Sequence, residues 1–235
     1  MRMSDNEGLA AILFDFDGVI VETEAPGFEG WQKLYAEYGQ TITLEEYAVV
    51  IGSAYGRFDP RKTLEERVGQ KLDWDILDKR RRDFYHELIS RKTSMPGVAE
   101  LLADARAKKL RLAIVSSSPR EWIERWLSHV KLQHCFDQIT CIDDVKNAKP
   151  SPELYLCALA RLGLTAREAM AIEDSPNGAK AAHLAGLFCV LVPNEVTTLL
   201  KFDVDFPRLP SLAGVTVKKL LEVRRSSRFS MGFEE

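Results

Sequence analysis

Two aspartates stand two residues apart directly after the apolar run Ala11-Ile12-Leu13-Phe14. A run of this kind is typical of a parallel strand that is buried on both faces. Its carboxyl end, where open α/β sheets bind ligands, then carries Asp15 and Asp17. Two carboxylates this close repel each other, so that they need a cation or a proton to coexist. The pair therefore predicts a metal site, although a helix cap followed by a turn at Gly18 is the structural alternative.

Three further polar positions follow the ends of later predicted strands. Ser116 ends the run Leu110–Val115 and offers a hydroxyl and turn amides to phosphate oxygens. Lys149 is a cation in a loop stiffened by neighbouring prolines, and Glu173-Asp174 offers oxygen ligands for a hard cation. Each signal is weak by itself, because serines and aspartates cap helices and lysines are usually exposed. Together they are expected to converge on Asp15.

The elements that position these residues divide the chain. From Val21 to about Met95 the apolar spacing predicts helices only, whereas predicted strands and helices alternate after Pro96-Gly97. Such alternation implies an α/β fold with a parallel sheet and right-handed crossovers. We expect a Rossmann-like core from residues 1–20 and 96–223, and an inserted helical domain from residues 21–95. Residues 224–235 are polar and serine-rich, which predicts a frayed tail.

Several polar and aromatic side chains are predicted to have structural roles. The four histidines, which lack metal-ligand spacing, are expected to be structural or exposed; they are His86, His129, His134 and His183. The basic run at residues 79–82 is interpreted as a solvated helix face, and only secondarily as an anion site. Trp122 is grouped with the apolar face of a helix that also contains Ile123 and Trp126.

Composition narrows the class of protein. The 235 residues carry a net charge of -3, which gives no reason to expect nucleic acid or a membrane surface as a partner. No apolar stretch is long enough to cross a bilayer, and the polar start of the sequence is unlike a signal peptide. The four cysteines form no CxxC pair. We expect a reduced, cytoplasmic protein that is a monomer or a weak homodimer.

In order and in structural context, these segments resemble the four motifs of the haloacid dehalogenase (HAD) superfamily. They are Asp15-Phe16-Asp17-Gly18-Val19-Ile20, Ser116, Lys149 and Glu173-Asp174. The match is to subfamily IA, the branch of small-molecule phosphatases and β-phosphoglucomutase-like enzymes, and it runs from Ala11 to about Pro193. The resemblance implies the HAD fold, a Rossmann-like core with a helical cap domain.

The resemblance also implies roles for the residues. Asp15 would attack phosphorus and form an aspartyl-phosphate, and Asp17 would protonate the leaving oxygen and later activate water. Mg²⁺ would be held by Asp15, the Asp17 backbone carbonyl and Asp174, with Glu173 as a ligand or just behind the ligands. Phosphate oxygens would be held by Ser116, Lys149 and backbone amides near Phe16, Asp17 and Ser117.

In this family a loop of the cap selects the leaving group. Here that loop should be Gly52–Asp59, so that Tyr55 and Arg57 are candidates for substrate contacts, with local packing as the equal alternative. Thr23 lies near the predicted hinge and is expected at the entrance. The substrate is expected to be a small phosphorylated metabolite, whose identity the sequence does not give.

Other activities of the family fit the residues less well. Asp17 argues against a dehalogenase and against a phosphonatase, neither of which needs an acid there. A β-phosphoglucomutase-like enzyme would carry a histidine about ten residues after the second aspartate, and Glu24–Glu29 contains none. A phosphatase is therefore favoured. The mutase is the alternative, followed by a phosphate-binding module without turnover. A receiver-like domain is disfavoured by the size of the helical insert.

Overall fold

The computed structural model describes residues 7–48 and 58–228. Five strands form one parallel sheet with the spatial order β3-β2-β1-β4-β5. Their bounds are Ala11–Phe14 (β1), Arg111–Val115 (β2), Gln138–Thr140 (β3), Ala169–Glu173 (β4) and Phe188–Leu191 (β5). Because β1 is central and pairs with both β2 and β4, the residues after these three strands meet at one edge.

Helices connect the strands and cover both faces of the sheet. Within the described residues they are Glu24–Glu37 (α1), Leu44–Ala48 (α2), Pro60–Val68 (α3), Trp74–Ile89 (α4), Val98–Ala107 (α5), Arg120–His129 (α6), Glu153–Leu162 (α7), Pro176–Leu184 (α8) and Val217–Arg228 (α9). Short 3₁₀ turns cover Ile142–Asp144, Ala166–Glu168 and Thr197–Leu199. The α/β fold with a parallel, Rossmann-like sheet is therefore confirmed.

The strand side chains alternate between two hydrophobic clusters. Ile12 and Phe14 face one cluster, which includes residues of α5, α6 and α9. Leu13 faces the other cluster, which includes residues of α7 and α8. Burial on both faces explains why the strands read as continuous apolar runs rather than as alternating patterns.

Helices α1 to α4 bury side chains against one another in a third cluster, which includes Trp31, Tyr35, Leu64 and Leu77. Val196, which follows β5, is a buried member of this cluster, and Leu200 from the same segment packs against it. Local sequence signals set where α3 begins: Asp59 caps the helix by accepting from backbone amides, and Pro60 occupies the first turn.

The two connections between these helices and the sheet lie side by side. Val21 forms a β-bridge with Ser94, and the Met95 amide donates to the Ile20 carbonyl at 2.8 Å. This pairing and the separate cluster support, as a proposal, a cap domain of residues 21–95 inserted into a core of residues 1–20 and 96–223.

The prediction of a frayed segment from residue 224 is wrong as far as Arg228, because α9 continues to that residue. Arg224 follows the buried Val217, Leu220 and Leu221 on the same helix face. It is itself only 7% exposed, and it donates to the Arg167 carbonyl at 2.6 Å. No helix in residues 7–48 or 58–228 combines the length and the apolarity that a membrane crossing requires.

Candidate active site

The predicted residues meet at the carboxyl edge of the sheet. Nζ of Lys149, in the loop after β3, lies 2.6 Å from Oδ1 of Asp15 and 2.6 Å from Oε1 of Glu173. It also donates to the Val115 carbonyl at 2.6 Å. The cation thus joins the ends of β1, β2 and β4, although Lys149 is 134 residues from Asp15 in the chain.

The ammonium group of Lys149 is almost fully buried, with a side-chain exposure of 5%. Burial alone would lower its pKa, but the charges of Asp15 and Glu173 outweigh that effect and raise it. Lys149 therefore stays a cation. The Tyr155 hydroxyl donates to the same Glu173 oxygen at 2.5 Å, which fixes the carboxylate from the other side.

Asp174 is the next carboxylate of the group. It is 2% exposed, and its Oδ2 accepts from Nδ2 of Asn194 at 2.8 Å. Asn194 is held in turn, because its Oδ1 accepts from the amides of Val196 and Thr197 at 3.0 and 2.9 Å. Burial, and then the charges of Asp15 and Glu173, raise the pKa of Asp174 well above its usual value.

These carboxylates suit a divalent cation. Asp15, Glu173 and Asp174 can each present an oxygen within 4.8 Å of the other two. Lys149 contacts Asp15 and Glu173, and one cation cannot neutralise three buried carboxylates once they are ionised. Carboxylate oxygens are the ligands that hard cations such as Mg²⁺ prefer. The residues present therefore fit a divalent metal.

The serines after β2 adopt a tight turn. Ser116 is 1% exposed, and its Oγ accepts from the Ser118 amide at 3.0 Å, so part of its role is local. Ser117 is exposed, and its Oγ accepts from the Lys149 amide at 3.3 Å. All three serines line the same cavity as Asp15. Helix α6 is preceded by Pro119 rather than capped by one of these serines.

Asp17 has both oxygens engaged by the segment that follows β2. Ser118 Oγ donates to Oδ2 at 2.6 Å, and Nε1 of Trp122 donates to Oδ1 at 3.0 Å. Burial and the charge of Asp15 raise the pKa of Asp17, although these hydrogen bonds lower it. A carboxyl group with a raised pKa can carry a proton to a reacting atom.

The sheet edge opens into a cavity of about 700 Å³ whose opposite wall belongs to the helical insert. The insert contributes Thr23, Glu24, Gly27, Tyr47, Arg81, Arg82, Tyr85 and His86. Burial, followed by the charges of Asp17, Glu22 and Asp15, raises the pKa of Glu24 to about 8. The cavity thus has an anionic floor and a wall of mixed polarity.

Several predicted substrate residues are placed by the structure. Thr23 is buried and lines the cavity; its hydroxyl lies near Asp17 but lacks a hydrogen-bond partner among the described residues. The Phe16 side chain is fully buried, so that the backbone amide near Phe16, and not the ring, is the group predicted to bind a phosphate oxygen. Tyr55 and Arg57 lie outside the described residues.

Sequence reasoning missed most of the insert wall. His86 is predicted to be structural or exposed, and the basic run that contains Arg81 and Arg82 is predicted to be a solvated face and only secondarily an anion site. Arg82 is exposed as predicted, yet all three residues line the cavity. Trp122 was grouped with a helix face, whereas its indole reaches Asp17. An indole N–H near a predicted site needs an acceptor, which is the one signal that could have marked Trp122.

Comparison with known proteins identifies the family that the sequence motifs predict. The family model described as haloacid dehalogenase-like hydrolase matches residues 12–192. YhcW of Bacillus subtilis, a candidate phosphatase by name, is 39% identical over 214 residues, which are 91% of this chain and 97% of YhcW. A Thermotoga maritima protein named phosphorylated carbohydrates phosphatase is 33% identical over 184 residues, 76% of this chain and 82% of that protein.

Among solved structures, CbbY of Rhodobacter sphaeroides in complex with phosphate has a TM-score of 0.69 at 27% identity. The match covers 90% of this chain and 99% of CbbY. The predicted class of enzyme, a phosphatase with the HAD fold, is confirmed by these relatives and by the family match. The chain belongs to the haloacid dehalogenase-like hydrolase family.

Proposed function

We propose that this protein is a Mg²⁺-dependent phosphomonoester hydrolase that works through an aspartyl-phosphate on Asp15. The observation that carries the proposal is the contact of Lys149 with both Asp15 and Glu173 at 2.6 Å, beside Asp174 and at the floor of a cavity. Phosphate monoesters hydrolyse very slowly unaided, so catalysis must come from positioning and from neutralising charge. A buried lysine among carboxylates supplies both.

In the first step a carboxylate oxygen of Asp15 attacks phosphorus, and the bond from phosphorus to the ester oxygen breaks. The proton of the Asp17 carboxyl group passes to that oxygen, so that an alcohol leaves. In the second step Asp17, now ionised, takes a proton from water while the water oxygen bonds to phosphorus. The bond between phosphorus and the Asp15 oxygen breaks, so that inorganic phosphate leaves and the carboxylate of Asp15 is restored.

The remaining residues hold the group that is transferred. Lys149, Ser116, Ser117 and the backbone near Phe16 would bind the phosphate oxygens. Asp15, Asp174 and the Asp17 backbone carbonyl would hold Mg²⁺, with Glu173 as a ligand or behind them. When bound, the metal shields the Asp15 carboxylate from the anionic substrate and polarises the phosphoryl group.

The substrate is proposed to be a small phosphorylated metabolite of the sugar phosphate type. A cavity of about 700 Å³ with an anionic floor and a wall of mixed polarity accommodates a molecule of that size. The carbohydrate phosphatase that is similar to this chain supports that class, and the phosphate-bound structure of CbbY supports a phosphate ligand. Contacts from Thr23, Tyr55 and Arg57 stay predictions, as do the cytoplasmic location and the monomeric or weakly dimeric state.

The insert wall favours hydrolysis over a mutase reaction. The mutase histidine is expected about ten residues after Asp17, where this chain has Gly27. Gly27 lines the cavity, but a β-carbon there would overlap the Tyr47 hydroxyl. Tyr47 thus occupies the space that a side chain at position 27 would need.

The direct test is phosphate release from a panel of sugar phosphates, nucleotides and phosphoglycolate, with Mg²⁺ and with excess chelator. We expect release that requires the metal. Incubation with β-glucose 1-phosphate and a trace of the bisphosphate should give free phosphate and little glucose 6-phosphate. Undiminished rates in chelator would contradict the metal proposal, and rapid isomerisation without phosphate release would establish the mutase.

A further inference from the structure

Trp122 connects the catalytic edge of the sheet to the helical insert. It lies in the first turn of α6, which belongs to the sheet region, and its Nε1 donates to Oδ1 of Asp17 at 3.0 Å. The same indole stacks on Tyr85 of α4, with ring centroids 5.8 Å apart and planes inclined by 21°. One side chain therefore contacts both the proposed acid and the insert.

The indole of Trp122 donates a hydrogen bond to Asp17 in addition to its packing contacts. Ser118 holds Oδ2, so that Trp122 is the donor that fixes the remaining oxygen. With both oxygens engaged, rotation of the carboxyl group about its terminal bond would break a hydrogen bond. The two donors thereby fix the plane of the Asp17 carboxyl group.

Trp122 packs against the insert as well as against its own helix. His86 on α4 lies 6.2 Å from it between ring centroids, and Trp126 contacts it from within α6 at 5.4 Å. Ile89, the last residue of α4, is fully buried in the hydrophobic cluster of the sheet. The end of α4 thus packs on the sheet region beside the indole.

We propose that Trp122 is a positioning residue, which orients Asp17 for protonation of the leaving oxygen and does so when Tyr85 of the insert is stacked on it. The inference rests on the proposed function, in which Asp17 is the general acid. It predicts that loss of the indole N–H harms only substrates that need a proton at the leaving oxygen.

The test compares Trp122→Phe with the wild type on two esters. The alkyl ester is whichever of glucose 6-phosphate and fructose 1-phosphate the wild type hydrolyses faster, and the aryl ester is p-nitrophenyl phosphate. An alkoxide is strongly basic and needs the proton, whereas p-nitrophenolate leaves without it. Because kcat/KM reports the steps up to cleavage of the ester bond, the later activation of water does not enter the comparison.

For Trp122→Phe we expect kcat/KM for the alkyl ester to fall about 10- to 100-fold, and that for the aryl ester to fall less than about threefold. Trp126→Phe is the matched control. Its Nε1 is buried without a hydrogen-bond partner among the described residues, so no bond is lost. If Trp122→Phe does not fold, Trp122→Met, which also lacks a hydrogen-bond donor, asks the same question.

The role of the insert is tested with Tyr85→Leu, which removes the stack, beside Tyr85→Phe, which keeps it. Only the leucine variant should show the selective loss on the alkyl ester. Equal losses on both esters, or no loss, in Trp122→Phe would overturn the positioning role. A leucine variant without selective loss would overturn the dependence on the insert. A wild type that hydrolyses neither these two esters nor any ester of the panel described above would instead refute the proposed function.

Discussion

The α-carbon of Gly18 packs against the Asp174 carboxylate so closely that a β-carbon at position 18 would overlap its Oδ2. The same β-carbon would lie 2.8 Å from Nδ2 of Asn194. Gly18 also has a φ of +77°, which other residues adopt only at a cost. The glycine after the aspartate pair is thus needed both for the turn and for the room that Asp174 occupies.

Gly18→Ala should therefore lose Mg²⁺ affinity and most activity, because Asp174 must move. Gly214→Ala is the matched control, since Gly214 has a φ of +70° with no atom close to its β-carbon position. Both variants should lose about 1–2 kcal/mol of stability from backbone strain. Isothermal titration with Mg²⁺ and phosphate-release assays separate the two effects, and equal metal affinity in both variants would contradict the expectation.

Asp15→Asn should abolish turnover and leave the fold intact. The amide is a poor nucleophile, and its contact with Lys149 loses one charge. Asp203→Asn, at an exposed position, should be active at the wild-type rate. Phosphate release and thermal unfolding measure the two properties, and turnover in purified Asp15→Asn, free of wild-type enzyme, would remove Asp15 as nucleophile.

Lys149→Gln should destabilise the protein by about 3–5 kcal/mol in chelator, because Asp15 and Glu173 are left buried without a cation. At about 2–4 °C per kcal/mol, the thermal midpoint should fall by roughly 10 °C. Added Mg²⁺ should restore part of the loss, since the metal replaces the missing charge. Lys146→Gln, exposed in the same loop, is the control and should match the wild type. An unchanged midpoint in Lys149→Gln would disprove the account of charge balance.

The raised pKa of Glu24 predicts how the stability of the folded protein depends on pH in the presence of chelator. Its pKa is raised from 4.5 to about 8, so the folded protein holds a proton that the unfolded chain releases between those values. Stability from this group is fully present below pH 4.5 and is lost as pH rises through 8. Glu24→Gln has no titrating group at this position and so does not show this loss of stability. The difference between its thermal midpoint and that of the wild type should therefore increase as the pH is raised from 5 to 8.

The control for this pH series is Glu29→Gln, on the exposed face of the same helix. Its midpoint should follow that of the wild type throughout the range. A constant difference between Glu24→Gln and the wild type across that range would show that the Glu24 carboxyl group titrates normally.

Gly27→Ala should destabilise the insert, because the new methyl group overlaps the Tyr47 hydroxyl. Tyr47→Phe in the same chain should recover part of the loss, since the ring carbon Cζ is 3.5 Å from the β-carbon position. Gly30→Ala, one turn further along α1, has its nearest neighbour at 3.4 Å and should cost little. A double-mutant cycle in urea measures the coupling, and strictly additive effects would contradict the overlap.

The chemistry at the sheet edge could be predicted because it is local to strand ends. Asp15, Lys149 and Asp174 each follow a strand whose apolar run is legible in the sequence. A parallel sheet brings such ends together whatever the rest of the chain does. The hydrogen bond from Asn194 to Asp174 could not be predicted in the same way, because it depends on the turn after β5.

The insert wall could not be predicted because it depends on how the insert is oriented against the sheet. Hydrophobic periodicity shows which face of α4 is polar, but not whether that face meets water or a cavity. Arg82 is exposed, as the polar face of its helix predicts, but that face borders the cavity, and so does His86. The end of α9 was missed for a related reason: Arg224 extends a buried face, although composition alone indicates a frayed tail.

The turn after β5 contacts both the acidic cluster at the sheet edge and the helical insert. Asn194 holds Asp174, whereas Val196, two residues later, is buried among the helices of the insert. Any free-energy coupling that this turn carries between the packing of the insert and the occupancy of the acidic cluster must be equal in size in both directions. We therefore expect a substitution in the insert core, far from any ligand atom, to change the affinity for the metal. In that role the helical insert would tune the site as well as form its wall.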